Sequence, residues 1–282
     1  MNGMSSEGFG KRLRDAMDDR GPLCAGIDPH PGLLEAWGLT DSVEGLEEFA
    51  LAAAEALAPV VAAVKPQSAF FERFGSRGIA VLERVVETSR EAGALVVLDV
   101  KRGDIGSTAQ AYADAYLDPG SPIAVDAITA TPFLGFGSLD PMLATAREHG
   151  KGVFVLALTS NPEAPQFQHA RTDEGRSVAG TVLDELRNLN GGVSPMGSFG
   201  AVVGATIAET GENLDVNGPL LVPGIGAQGG TADDVRRIFG GVLHLVLPSS
   251  SREILGAGPD PAALRAAVGR SVDAFSALRT GR

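Results

Sequence analysis

Eight short apolar runs punctuate the chain, and they scarcely alternate between apolar and polar residues. They are LCAGID (23–28), VAAVK (61–65), LVVLD (95–99), IAVDAIT (123–129), VFVLALT (153–159), GAVVGA (200–205), LLVPG (220–224) and VLHLVLP (242–248). A strand with one wet face alternates; a strand covered on both faces of a parallel sheet does not. Amphipathic segments separate the runs, at 43–57, at 77–92 before Gly93, and at 176–189, and DPAALRAAVGRSVDAFSAL (260–278) reads as a last helix. Eight strands interleaved with about eight helices over about 250 residues predict an α/β fold, the (β/α)8 TIM barrel. The expectation is one barrel domain over residues 1–282, with a short helix before the first strand. A doubly wound open sheet is the second choice.

The polar residues favour the barrel. Asp28, Lys65, Asp99, Thr159 with Ser160, the stretch from Gly224 to Gln228, and the stretch from Ser249 to Arg252 all sit at C-terminal strand ends. That is the face where the βα loops of a barrel gather its chemistry, whereas an open sheet uses one crevice. The densest case is VVLDVKRGDIGST (96–108), where an apolar strand runs into Asp99, Lys101, Arg102 and Asp104. On an extended strand Asp99 and Lys101 point to the same side.

Composition removes several function classes. A net charge of −12 gives no basic field for nucleic acid. No apolar run reaches the 18 residues of a membrane span, and Met1 to Lys11 holds no apolar signal core. Cys24 is the one cysteine, which rules out an intrachain disulfide and fits a reducing cytoplasm. It lies in an apolar run and reads as a packed side chain. Residues 160–175 and 191–198 read as loops. His30, His149, His169 and His244 show no paired ligand spacing, so no metal is expected; His244 reads as mid-strand and His149 as near a helix end. No GxGxxG fingerprint follows the first strand, which disfavours a dinucleotide.

Two lysines and three carboxylates at neighbouring strand ends read either as a salt-bridge network at a barrel rim or as a site. As a site, alternating signs keep the lysines protonated, and a cationic lysine among carboxylates is a proton donor. A carboxylate held beside a substrate anion destabilises the ground state. Both suit a reaction that makes a carbanion and then protonates it, and decarboxylation is the simplest case. The glycine-rich LLVPGIGAQGG (220–230) and the SSSR of 249–252 follow the seventh and eighth strands, where such barrels often bind phosphate. Arg252 brings a fork of donors suited to that anion. Thr159, Ser160 and Asn161 can bond a polar ring or cap a turn.

These residues resemble the orotidine 5′-phosphate decarboxylase family. LDVKRGDIGST is similar to its Asp-x-Lys-x-x-Asp signature, and the likeness extends through GPLCAGIDPHP, VVAAVKPQSAFFERFG, LALTSNPE, VPGIGAQGG and the arginine after strand 8. KPQ, KRGDIG and TSNP resemble the longer bacterial, type 2 branch. The resemblance implies a homodimeric barrel without cofactor or metal that converts orotidine 5′-monophosphate to UMP and CO2 in pyrimidine biosynthesis. It implies that Lys101 protonates C6, that Asp99 faces the substrate carboxylate, that Lys65 pairs with Asp99, and that Asp28 binds ribose hydroxyls. Asp104 and Thr108 would reach into the partner's site, Ile105 would shape the pocket, Ser160 would contact the pyrimidine, and Gln228 and Arg252 would hold the phosphate. Many members carry Gly before that arginine; this chain has Ser251. Two other readings remain, a metal-dependent phosphosugar decarboxylase or epimerase of related barrel type, and a nucleotide-binding barrel without catalysis.

Overall fold

The computed structural model describes residues 7–207, 211–224 and 230–280. Among them, eight parallel strands close into a barrel in chain order: β1 (Cys24–Ile27), β2 (Ala63–Pro66), β3 (Leu95–Arg102), β4 (Ala127–Ala130), β5 (Gly152–Leu158), β6 (Phe199–Val203), β7 (Leu220–Pro223) and β8 (Val246–Ser250). The expected TIM barrel is therefore the observed fold. β1, β4 and β6 are buried at every position, as strands covered on both faces should be. The described residues group into two compact units, 7–14 with 101–248 and 15–100 with 249–280.

In the unit of residues 15–100 and 249–280, β1 pairs with β2 in the register Cys24↔Ala63 to Ile27↔Pro66, and with β8 at Cys24↔Ser249 and Ala25↔Ser250. The helix Val43–Leu57 starts at Ser42, whose hydroxyl accepts a hydrogen bond from Gly45 N–H at 3.2 Å. Such a cap satisfies one of the orphan donors of a first turn. Leu46, Phe49, Ala50, Ala53 and Leu57 recur at helical spacing and are fully buried. Trp37 lies 4.2 Å from the Phe49 ring, centroid to centroid, and its indole N–H donates to Leu255 O at 2.9 Å. Leu255 closes the short helix Arg252–Leu255, so this bond anchors the helix that Arg252 opens.

In the other unit, Phe9 packs edge-on against Phe154 with centroids 5.8 Å apart. The Arg12 guanidinium donates to Asp126 at 2.8 Å and to Gly150 O at 3.0 Å. Asp126 lies just before β4 and Gly150 just before β5, so residues 9–14 of the helix Phe9–Arg20 sit against the N-terminal ends of these two strands.

Three boundaries differ from expectation. The run at 242–248 is not all strand: Gly240–Leu245 form a 3-10 helix and β8 begins at Val246. Val242 and Leu245, three apart, are both buried by that turn, and three is its period. His244 is consequently on the 3-10 helix rather than mid-strand, and its carbonyl accepts from Arg14. β4 starts at Ala127, just after Asp126, whose carboxylate accepts from Arg12 and whose carbonyl accepts from Gly152 N–H, and β3 runs three residues beyond Asp99. His149 caps the C-terminus of the helix Asp140–Glu148, as expected.

Candidate active site

β2 and β3 place two opposite charges in contact. Lys65 Nζ donates to Asp99 Oδ2 at 3.1 Å, with 6% and 8% of the two residues exposed. Burial by itself would lower the lysine pKa, but the charges of Asp99 and Asp28 and the bond to Asp99 outweigh it, so Lys65 is held above its ordinary value and stays cationic. Asp28 at the end of β1, Lys65 and Asp99 thus form the alternating acid–base–acid row that the strand ends predicted. Beneath it the Cys24 thiol is pushed up to about 12, chiefly by burial, and is a packed neutral group.

Asp28 and Arg252 line one cavity of about 450 Å³, together with His30, Gln67, Ala69 and Phe70. Asp28 Oδ1 is buried without a hydrogen-bond partner. Buried acceptors are rarely left unpaired, so an unpaired one in a cavity marks a place where a ligand donor fits. Sequence reasoning missed His30 and Gln67. Each lies two residues beyond a named site residue, Asp28 and Lys65, and that offset was the available signal. Ser251 is accommodated opposite Gly26 of β1: a Cβ on Gly26 would stand 2.6 Å from Ser251 Cβ. A side chain at 251 therefore requires glycine at 26.

In the unit that begins again at Lys101, the end of β3 is irregular. Lys101 has φ +46°, a left-handed conformation uncommon for a side-chain-bearing residue, and its N–H donates to Thr129 Oγ1 at 2.9 Å. Asp99 and Lys101 would share a side only on extended backbone, which Lys101 does not have. Lys101 is exposed whereas Asp99 is buried. Arg102 O accepts from Thr131 N–H at 2.9 Å, and a Cβ on Gly103 would lie 2.3 Å from Thr131 O, so only glycine lets the chain turn there. Asp104 Oδ1 accepts from Ile105 N–H at 2.8 Å, and Ile105 and Thr108 are exposed at the start of the helix Gly106–Leu117.

After β5, Thr159 and Asn161 are engaged within their own loop. Thr159 N–H donates to Gln168 Oε1 at 2.9 Å, Gln168 Nε2 donates to Thr159 Oγ1 at 2.7 Å, and Asn161 Nδ2 donates to Glu163 at 3.0 Å. Ser160, between them, is exposed. The loop continues through the short helix Pro165–Gln168 to an ion network in which Arg176 meets Asp184 at 2.7 Å and also Glu212. Gln228 lies outside the described residues. Next to that segment, Thr231 opens the helix Ala232–Phe239 with a capping box to Asp234.

A closed (β/α)8 barrel with a buried, alternating charge row and a polar cavity at its C-terminal strand ends defines an enzyme of the barrel class. Residues 21–267 match the model of the orotidine 5′-phosphate decarboxylase / HUMPS family, and the chain belongs to it. It is 68% identical over 268 residues to the orotidine 5′-phosphate decarboxylase of a Nocardioides species, covering 94% of this chain and 97% of that one. Identity to the Salinispora arenicola protein of the same name is 62% over 276 residues, covering 98% and 99%. A crystal structure from Streptomyces avermitilis, provisionally described as the same enzyme, superposes with a TM-score of 0.96 at 57% identity, covering 99% of this chain and 98% of that one. The Leishmania donovani OMP decarboxylase structure superposes at 0.77 with 31% identity, covering 97% and 99%.

Proposed function

We propose that this chain is a carboxy-lyase that converts orotidine 5′-monophosphate to UMP and CO2, without metal or cofactor, in pyrimidine biosynthesis. The observation that carries the reading is the buried Lys65–Asp99 pair flanked by Asp28. Lys65 fixes the Asp99 carboxylate so that it does not swing away. A substrate carboxylate placed against Asp99 is repelled, and the repulsion is relieved as CO2 departs. The C6–carboxylate bond breaks, its electron pair stays at C6, and the Lys101 ammonium gives C6 a proton, to be replaced from solvent. Preorganised charge of this kind acts most strongly where water is excluded.

In this reading Asp28 accepts from the ribose hydroxyls, Arg252 and Gln228 hold the phosphate, and Ser160 meets the pyrimidine. Binding energy from the remote phosphate would lower the barrier at C6. Asp104, Ile105 and Thr108 serve the site of a second copy in a homodimer. Supporting this, Ile105 is 61% exposed, and Phe133 and Leu134 after β4 are 70% and 53% exposed, large apolar side chains of the kind that a partner covers. Among the described residues no helix is long and apolar enough to cross a membrane, and a cytoplasmic setting suits the single buried thiol.

The test is loss of the ultraviolet absorbance of orotidine 5′-monophosphate in the presence of EDTA. Turnover under those conditions supports the reading. Activity that needs Mg²⁺, or activity on a phosphosugar instead, favours the metal-dependent barrel. Tight UMP binding without turnover favours the silent one.

A further inference from the structure

The cavity that holds Asp28 and Arg252 contains a second polar group with no partner. His30 Nε2 is buried and makes no hydrogen bond. The adjacent Nδ1–Cε1 edge of the ring lies toward the start of the helix Pro31–Ala36, since a Cβ on Gly32 would lie 3.7 Å from Nδ1. One side of the imidazole is flanked by Phe70, with ring centroids 6.0 Å apart, and His30 N–H donates to Asp28 O at 2.8 Å. The backbone bond and the ring contact restrict where the side chain points, and a polar nitrogen left unpaired in such a setting is costly unless a ligand completes it.

We infer that His30 is a further substrate-binding residue, and that its Nε2–H donates to the substrate phosphate. This rests on the proposed decarboxylase reading. The division of labour follows from the cavity's chemistry. Asp28 offers an acceptor, which suits a hydroxyl and repels an anion. A phosphate needs donors, and the cavity supplies the Arg252 guanidinium and the imidazole. In a chain with net charge −12, an anionic ligand depends on such local donors.

The test compares UMP with uridine, which differ only in the phosphate, by calorimetry on wild type, His30→Ala and His30→Gln. A hydrogen bond to a charged group implies that His30→Ala weakens UMP binding about tenfold to a hundredfold, while uridine binding changes less than about twofold. His30→Gln, whose amide nitrogen reaches the Nε2 position, should recover part of the UMP affinity and covers the case in which the alanine variant folds poorly. Unchanged UMP binding in both variants, or equal losses for UMP and uridine, would overturn the assignment. Failure of wild type to bind UMP at all would instead strike the decarboxylase reading.

Discussion

Replacing Lys65 by methionine probes the charge row directly. Methionine occupies a similar volume but leaves the Asp99 carboxylate, 8% exposed, without the cation that stands 3.1 Å away. Breaking a buried pair from one side costs about 3–5 kcal/mol, because the remaining charge stays desolvated and loses the compensation that its partner gave. For a domain of this size each kcal/mol moves the melting midpoint by about 2–4 °C, so the variant should melt roughly 10 °C below wild type. The double variant Lys65→Met/Asp99→Leu removes both charges and keeps the site apolar and filled, and should regain most of the loss. Urea denaturation followed by circular dichroism, run as a double-mutant cycle, gives the coupling between the two positions. A Lys65→Met variant within about 1 kcal/mol of wild type, or single-variant losses that simply add, would refute the claim that the pair is a coupled buried unit.

Other outcomes follow from the same geometry. The Cys24 thiol has its folded pKa raised from 9.0 to about 12, so its contribution is fully present below pH 9.0 and is lost as pH climbs toward 12. Wild-type stability should fall between pH 9 and 10.5 more steeply than that of Cys24→Ala, and equal slopes in denaturant titrations would contradict the burial argument. Lys101→Ala should keep the fold and lose turnover by at least about a hundredfold to ten-thousandfold; near-normal decay of substrate absorbance in that variant would remove its proton-donor role. Mixing Asp104→Ala with Lys101→Ala chains should restore activity through hybrid dimers that hold one intact site. No recovery once subunit exchange is verified would place Asp104 in the site of its own chain.

Much of the barrel was legible because strands covered on both faces announce themselves as unbroken apolar runs, as in β1 and β6. Where the reading slipped, the cause was local. The run at 242–248 is equally apolar as strand or as 3-10 turn, and only the three-residue spacing of Val242 and Leu245 separates them. Asp126 looked like part of a strand because its partner Arg12 lies 114 residues away. The Lys65–Asp99 contact was visible in outline, since charges at the ends of apolar strands have few other reasons to be there. The left-handed backbone at Lys101 was not, because it depends on bonds from Thr129 in β4 and from Thr131 just after it. His30 was passed over because a lone histidine beside a proline shows no paired ligand spacing; its offset of two from Asp28 gains meaning only from the cavity it shares with Arg252.

The account turns on protonation of a C6 carbanion in a site that needs no metal. Incubating the enzyme with orotidine 5′-monophosphate in D2O with EDTA, and reading the product by proton NMR, tests that most directly. The predicted result is UMP carrying deuterium at C6, formed by wild type and absent with Lys101→Ala. UMP formed only after Mg²⁺ is restored, or no UMP at all, would contradict it.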